Sequence, residues 1–142
     1  MKTKWVMLLT LTIFISFVLV TSPYANEASK KAALASATDW LALVDAGNYP
    51  ETWDQAALRF KNALNKDQWI ASLERGRAPF GKVLSRKLFS NIYTTSLPGI
   101  PDGKYVVIMY NTEFENKKSA VETITPMLDQ DGKWRVAGYQ IH

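Results

Sequence analysis

The side chains whose types could carry chemistry lie mostly in the last third of this sequence. Glu113, Glu122 and Arg135 fall within three β-patterned runs, at positions where the alternation of side chains directs all three to one sheet face. Two carboxylates beside an arginine could exchange protons with a bound molecule, provided that burial or a like charge raised one carboxyl pKa. The alternative is a cross-strand network of surface ion pairs, each worth well under ~1 kcal/mol. We favour the network, and we assign no catalytic residue.

The chain lacks the residue types on which many active sites depend. It contains no cysteine, and its one histidine, His142, is the last of 142 residues. Disulfides, thiolate zinc sites and cysteine nucleophiles are therefore excluded, and neither a histidine metal site nor a Ser-His-Asp triad is expected. The formal net charge is +4, of which Lys2 and Lys4 near the N-terminus supply two. So mild a charge does not indicate nucleic-acid binding, and we predict no metal or other cofactor.

Four segments have the composition and alternation of β-strands. They are Val83 to Thr95, Tyr105 to Phe114, Ser119 to Leu128 and Lys133 to His142. Short polar turns join the last three, and short turns require antiparallel neighbours. The sequence therefore predicts a four-stranded antiparallel sheet.

One face of this predicted sheet is free of charge and should pack against helices. It carries Val106, Ile108, Tyr110, Thr112, Phe114, Val121, Thr123, Thr125, Met127, Trp134, Val136 and Gln140. The opposite face mixes apolar and charged side chains, as interfaces and binding grooves often do. Its candidate binding residues, joined by Arg86 if the first strand pairs suitably, are Tyr105, Met109, Asn111, Glu113, Glu122, Arg135 and Tyr139. The other members of this face are Val107, Ile124, Leu128, Ala137 and Ile141.

Residues 1 to 25 have the pattern of a secretory signal. Lys2 and Lys4 precede an apolar run from Trp5 to Val20, and Ala25 offers a small residue before the cleaved bond. The run is slightly short for a membrane-spanning helix. We predict cleavage, which leaves residues 26 to 142 as a single domain; an uncleaved anchor is the alternative. In both cases the domain is expected to be periplasmic or secreted.

Apolar residues at helical spacing predict three helices ahead of the sheet. The first covers Asn26 to Ala46, and the second starts at Tyr49-Pro50 and carries an apolar stripe that ends at Leu64. The third begins at Asn65, where Gln68 completes a capping box. Helices followed by strands indicate an α+β fold with the helices packed on one face of the sheet. This element order is that of the cystatin-like and nuclear-transport-factor-like cones.

Four stretches of the mature sequence, with Arg86 and Glu122-Thr123 between them, form a recognisable set. They are WLALVDAGNYPETW at 40–53, RGRAPFGK at 75–82, TTSLPGIPDGKYVV at 94–107 and DGKWRVAGY at 131–139. Together they resemble the bacterial family catalogued as domain of unknown function 4019, over nearly all of the mature chain. The resemblance implies an exported bacterial protein. It supplies no activity, catalytic residue or cofactor to carry over.

Two functions from different classes fit these observations. The first is a non-catalytic binding or interaction module outside the cytoplasm, whose mixed sheet face binds a second copy or an envelope protein. The second is a small enzyme or ligand carrier with a pocket between helices and sheet, a suggestion that rests on fold analogy. An uncleaved leader would instead make the protein an anchored structural component, with membrane contact through that leader only.

Overall fold

The protein is described here from a computed structural model that covers residues 23–142. The predicted signal segment lies largely outside these described residues, as does the apolar run from Trp5 to Val20. Within residues 23–142, none of the helices is both long enough and apolar enough to cross a membrane.

Four α-helices and a short 3₁₀ turn precede the sheet in the described part of the chain. They are α1 (Pro23–Asp45), α2 (Tyr49–Asp54), α3 (Leu58–Ala63), α4 (Lys66–Gly76) and the turn Ala78–Phe80. The predicted capping box of α4 is present: Asn65 accepts a hydrogen bond from the Gln68 amide at 2.9 Å, and Gln68 accepts one from the Asn65 amide at 3.3 Å. These two bonds fix the start of α4.

The second predicted helix is two helices in the structure, so the predicted number of helices was wrong. Ala57 has an extended backbone, with φ −59° and ψ 149°. Its amide donates to the Val136 carbonyl on the last strand at 2.8 Å instead of to a helical carbonyl. The apolar stripe is continuous in sequence, but the hydrogen bond between the Ala57 amide and β4 interrupts the helix.

The strands follow as β1 (Val83–Thr94), β2 (Tyr105–Phe114), β3 (Lys117–Leu128) and β4 (Trp134–Ile141). All neighbours are antiparallel, in the spatial order β1-β2-β3-β4. The α+β class, the helices-then-strands order and the four-stranded antiparallel sheet are therefore confirmed. Strands β1 and β4 are the two edges of the sheet.

The hydrophobic core lies between the helices and one face of the sheet, here called the helix face. Trp40 and Val44 of α1 pack with Ile108, Ile124 and Val136 of the strands. Apolar side chains at a spacing of three or four residues place one stripe of α1 against the sheet. We call the opposite side of the sheet the outer face.

Two of the register shifts in the sheet decide which side chains of β3 and β4 point to each face. The first lies between Thr112 and Phe114, where Phe114 pairs with Lys117 but Thr112 pairs with Ala120. The extra residue in β3 reverses its alternation from this point on. Glu122 and Ile124 therefore lie on the helix face. The outer face carries Val121, Thr123, Thr125 and Met127, which were predicted to lie on the helix face. The predicted faces of β3 were therefore inverted.

The second shift lies in β4, where Tyr139 pairs with Ile124 but Val136 pairs with Pro126. Three residues of β4 thus span two of β3, which is a β-bulge. Trp134 and Val136 lie on the helix face as predicted. Beyond the bulge, Tyr139 and Ile141 also lie on the helix face and Gln140 lies on the outer face, so the prediction was wrong for these three.

Candidate functional site

Glu122 is the centre of a polar cluster inside the protein. Its side chain is wholly buried. The carboxylate accepts hydrogen bonds from Arg86 Nε at 2.8 Å, Arg86 Nη2 at 3.1 Å, Thr112 Oγ1 at 2.6 Å and the Tyr139 hydroxyl at 2.5 Å. A carboxylate has about four acceptor positions. These four bonds fill them, so the buried charge is compensated.

Arg86 connects Glu122 to a second carboxylate, Asp45 at the end of α1. Its Nη1 donates to Asp45 Oδ2 at 2.7 Å and its Nη2 to Asp45 Oδ1 at 3.0 Å. Asp45 Oδ1 also accepts from Arg77 Nη2 at 3.1 Å, and Arg77 Nη1 donates to the Gly81 carbonyl at 2.8 Å. Two arginines thus balance two carboxylates. We call Asp45, Arg77, Arg86, Thr112, Glu122 and Tyr139 the buried polar cluster; Asp45 lies at its rim, with 30% of its side chain exposed.

The cluster joins elements that lie far apart in sequence. Asp45 ends α1, Arg77 follows α4, Arg86 is on β1 and Glu122 is on β3. Arg77 is 3% exposed, and its guanidinium lies 4.6 Å from the centre of the Phe114 ring. Its Nε has no hydrogen-bond partner among residues 23–142. An arginine that stacks on an aromatic ring and donates to both a carboxylate and a backbone carbonyl is held in one orientation. The cluster therefore fixes β1 against the helices and the central strands.

The environment also fixes the protonation of two cluster members. Burial raises the pKa of Tyr139 far above its ordinary value, and the charge of Glu122 and its hydrogen bond raise it further. Burial acts to lower the pKa of Arg86, but the hydrogen bonds with Asp45 and Glu122 outweigh it, and the pKa rises above the usual arginine value. Tyr139 is thus a neutral donor and Arg86 a permanent cation. Glu122 has no free acceptor position for a substrate proton, which does not favour a role as general base.

The structure separates the three residues that the sequence placed together. Glu122 is on the helix face, whereas Glu113 is exposed on the outer face opposite Ser85. Arg135 also lies on the outer face and binds two acidic residues of the β3–β4 turn, Asp129 at 2.9 Å and Asp131 at 2.7 Å. The predicted network of Glu113, Glu122 and Arg135 does not form. Each residue has other neighbours.

The remaining predicted site residues divide between buried and outer positions. Tyr105 is 1% exposed, and its hydroxyl donates to the Pro101 carbonyl at 2.7 Å, so the β1–β2 loop covers it. Met109 is half-buried on the outer face between Ser90 and Thr123. Asn111 is exposed on that face between Lys87 and Val121. Tyr139 packs edge-on against Trp40, with ring centres 5.4 Å apart.

The candidate site residues predicted from the sequence did not include Asp45, Arg77 or Thr112. One local signal was present for Asp45. An acidic side chain at a helix C-terminus opposes the helix dipole, and Asp45 follows the buried Leu41 by four positions. An acid at this unfavourable end of a helix indicates a fixed cationic partner, even though Asp45 itself is only partly buried. No comparable local signal identifies Arg77, whose partner lies 32 residues away.

The second notable surface is the free side of β1. Six large apolar side chains are exposed in the described part of the chain, and four belong to β1: Leu84 at 60%, Leu88 at 49%, Phe89 at 64% and Ile92 at 56%. Leu88 pairs with Tyr110 and therefore lies on the helix face, whereas Ile92 pairs with Val107 on the outer face. Leu84 and Phe89 lie at register shifts. We call the side of β1 that points away from β2, with these four side chains, the β1 edge.

A third feature is an open groove of about 680 Å³ between α3 and the β3–β4 turn. Leu58, Arg59 and Met127 line it, together with the ion-paired Arg135 and Asp131. Hydrogen bonds from Arg135 and from the Lys133 amide lower the pKa of Asp131 to about 2. Two of the groove's charges are therefore already paired with each other.

A family model described as "Protein of unknown function (DUF4019)" matches residues 36–139. This is more than half of the chain. The protein belongs to the DUF4019 family. The resemblance seen in the sequence is thereby confirmed. The matched DUF4019 region contains every member of the buried polar cluster and the whole of β1. No curated protein matches the chain, and the family's description attaches no activity to this fold.

Proposed function

We propose that this DUF4019 protein is an exported, non-catalytic interaction module that binds a partner strand along its β1 edge. The observation that carries the proposal is the concentration of four exposed apolar side chains on one edge strand. An edge strand presents a row of unpaired backbone donors and acceptors, which can add a further strand. Backbone pairing would supply the affinity, and the apolar side chains would select the partner.

The distribution of these side chains favours a strand over a flat binding surface. Leu88 lies on the helix face and Ile92 on the outer face. A partner that packs on one face covers only one of them. A strand places alternate side chains on both faces, so strand addition can cover Leu88 and Ile92 together.

The buried polar cluster supports the same function. Arg86 is part of β1, and its guanidinium binds Glu122 of β3 and Asp45 of α1. These bonds hold the edge strand in one position from its inner side. A binding element that is already ordered loses less conformational entropy when a partner docks. In this proposal the cluster is structural, and its contribution to binding is preorganisation.

Site-specific photo-cross-linking in the producing cell tests the proposal. A photoreactive phenylalanine analogue would replace Phe89 on the β1 edge, and the matched control would carry it at Glu74, an exposed position on α4. We expect an adduct of defined mass from position 89 and none from position 74. Ile92→Lys in the same chain should reduce the yield of the adduct. Equal labelling from positions 89 and 74, or no adduct at 89, would contradict strand addition.

Export is a separate part of the proposal. It is supported by the residue pattern of positions 1 to 25. N-terminal sequencing of protein from the envelope fraction should begin at Asn26. A protein that retains Met1 in that fraction would favour the uncleaved anchor, and recovery only from the cytoplasm would contradict export.

A ligand carrier is the second candidate, and the groove beside α3 is the observation that favours it. The exposed Leu58 and the half-buried Met127 offer apolar contacts, and Arg59 offers a cation. Met127→Trp should fill part of the groove. If a small molecule that raises the melting temperature of the natural protein loses this effect in the variant, the carrier function gains support. Tyr24→Trp, at an exposed site on α1 that is remote from the groove, is the control for adding an indole.

A further inference from the structure

We infer that the partner strand is β1 of a second copy of this chain, paired antiparallel about a two-fold axis at Ile92. This inference rests on the proposed function and names its partner. It follows from the symmetry of antiparallel pairing, the position of a register shift and the position of the charges on β1.

Symmetry restricts how one strand can pair with its own copy. In an antiparallel pair, opposite residues alternate between hydrogen-bonded and non-hydrogen-bonded pairs. Suppose that a residue were opposite its sequence neighbour in the second copy. The two-fold axis would then relate two consecutive pairs of the ladder and require them to be of the same type, whereas consecutive pairs are always of different types. A two-fold antiparallel pair must therefore be centred on a residue that meets itself. Each position on β1 is a possible centre, and the side chains decide among them.

The register shift between Leu88 and Ser90 divides β1 into two regular runs. The first run, Ser85 to Leu88, contains Arg86 and Lys87, and a centre at either places two like charges directly opposite each other. A centre at Ser85 or Leu88, the two ends of this run, would pair residues across a register shift. Such pairs destabilise a sheet. The second run, Ser90 to Thr94, carries no charged residue. Self-pairing is therefore favoured in the second run.

Ile92 is the midpoint of the second run, so a centre there uses all five of its residues. Ile92 meets Ile92 of the second copy, Asn91 meets Tyr93, and Ser90 meets Thr94. The register keeps Asn91 and Tyr93 on the helix face and the other three on the outer face. Every pair therefore joins side chains on the same face. The most exposed residue of the run, Ile92 at 56%, becomes the centre of the interface.

The neighbourhood of Ile92 is open to a second strand. A groove of about 250 Å³ runs beside it between the start of α1 and β1, lined by Asn26, Lys30 and Tyr93 among others. A paired strand would close the side of this groove. The paired run is short and leaves Leu84, Leu88 and Phe89 outside it, so we expect a reversible dimer whose population rises with concentration, not a permanent one.

Disulfide trapping tests the inference, because the natural chain contains no cysteine. Opposite residues in an antiparallel pair have Cα atoms about 4.5–5.5 Å apart, within the range of about 4.4–6.8 Å that a disulfide spans. In the full-length exported chain, Ile92→Cys should form a covalent dimer under mild oxidation. Leu88→Cys is the matched control. With the axis at Ile92, residue 88 lies eight residues along the strand from residue 88 of the second copy, a distance of about 27 Å. The Leu88→Cys variant should therefore form no covalent dimer.

Four outcomes relate this inference to the function on which it rests. The inference is supported if Ile92→Cys gives at least tenfold more covalent dimer than Leu88→Cys. Sedimentation should also show dimers of the natural chain, and Ile92→Lys should abolish them. Equal trapping at both positions would indicate random collision and overturn it, as would a strict monomer. If the adduct at position 89 then has a mass other than that of two chains, the inference fails while the proposed strand addition stands. If neither trapping nor photo-cross-linking gives an adduct, both fail.

Discussion

The two edge strands of the sheet each carry one arginine that binds two carboxylates, but the two arginines lie in different surroundings. On β1, Arg86 points to the helix face and binds Glu122, which is fully buried, and Asp45 of α1. On β4, Arg135 points to the outer face and binds Asp129 and Asp131 of the adjoining turn, and Asp131 is half exposed. The first arginine links distant elements through the interior. The second closes a local turn at the surface.

The outward sides of the two edges differ in a complementary way. The helix layer covers part of the β4 edge, because Ala57 donates its amide to the Val136 carbonyl at 2.8 Å and Ser36 donates its hydroxyl to the Trp134 carbonyl at 2.9 Å. No described residue pairs with the far side of β1. One edge is thus covered by local contacts, and the other is fixed from within and left open. This difference is the reason for assigning recognition to β1.

Removal of Glu122 should have the largest effect on stability. Glu122→Ala leaves the Tyr139 and Thr112 hydroxyls without their acceptor and removes one of the two carboxylates of Arg86. Removing one member of a buried ion pair typically costs about 3–5 kcal/mol, and the lower end applies because Asp45 still binds Arg86. Urea unfolding of the natural protein and the variant measures the difference.

Glu113→Ala is the control for this experiment. Glu113 is exposed on the outer face, and a surface substitution of this kind usually changes the free energy of unfolding by less than about 0.5 kcal/mol. A similar loss in both variants would mean that the buried polar cluster does not hold β1. It would also remove the argument that the β1 edge is preorganised.

Glu122 also illustrates what the sequence could predict and what it could not. Periodicity is a local property, so the strands, most of the helices and the α+β class were predictable. The faces of β3 and β4 depend on two bulges, and alternation alone gives no sign of them. The bulge near Thr112 turns Glu122 inward, where Arg86 lies 36 residues away in sequence. Only the folded arrangement brings a compensating cation to that carboxylate.

The split of the second helix has the same origin. The stripe that ends at Leu64 fits one helix, yet the Ala57 amide binds a carbonyl of β4. Tyr105 is a further example: its alternation correctly predicted the outer side of β2, but the loop that covers it was not predictable. In the first case a distant strand divides the helix, and in the second the adjoining loop covers a side chain whose sheet face was predicted correctly.

Removing a contact between the helix layer and the β4 edge should have an intermediate effect on the free energy of unfolding. Ser36→Ala removes the hydroxyl that binds the Trp134 carbonyl, and the loss of one such hydrogen bond costs about 1 kcal/mol. Ser72→Ala is the matched control, because the Ser72 hydroxyl binds the Gln68 carbonyl on the exposed side of its own helix. Alanine favours helices, so this control should keep or slightly raise the free energy of unfolding. If Ser36→Ala behaves like Ser72→Ala, the helix layer does not stabilise the β4 edge.

The smallest effect on the free energy of unfolding is expected at the surface ion pair of Arg135, and only at low pH. Hydrogen bonds from Arg135 and the Lys133 amide lower the pKa of Asp131 from 3.8 to about 2. A carboxyl group whose pKa is lower in the folded state stabilises the fold above its unfolded pKa, and this stabilisation disappears as the pH falls from about 4 through about 2. Asp131→Asn should therefore flatten the decline of the free energy of unfolding across that window. Asp102→Asn, which removes a carboxylate that forms no ion pair within residues 23–142, should leave the decline unchanged.

High salt should narrow the difference in the free energy of unfolding between the natural protein and Asp131→Asn, since exposed pairs are screened. A salt-independent difference would mean that Arg135 is as sheltered as Arg86, and the contrast between the two edge strands would then rest on their outward sides alone.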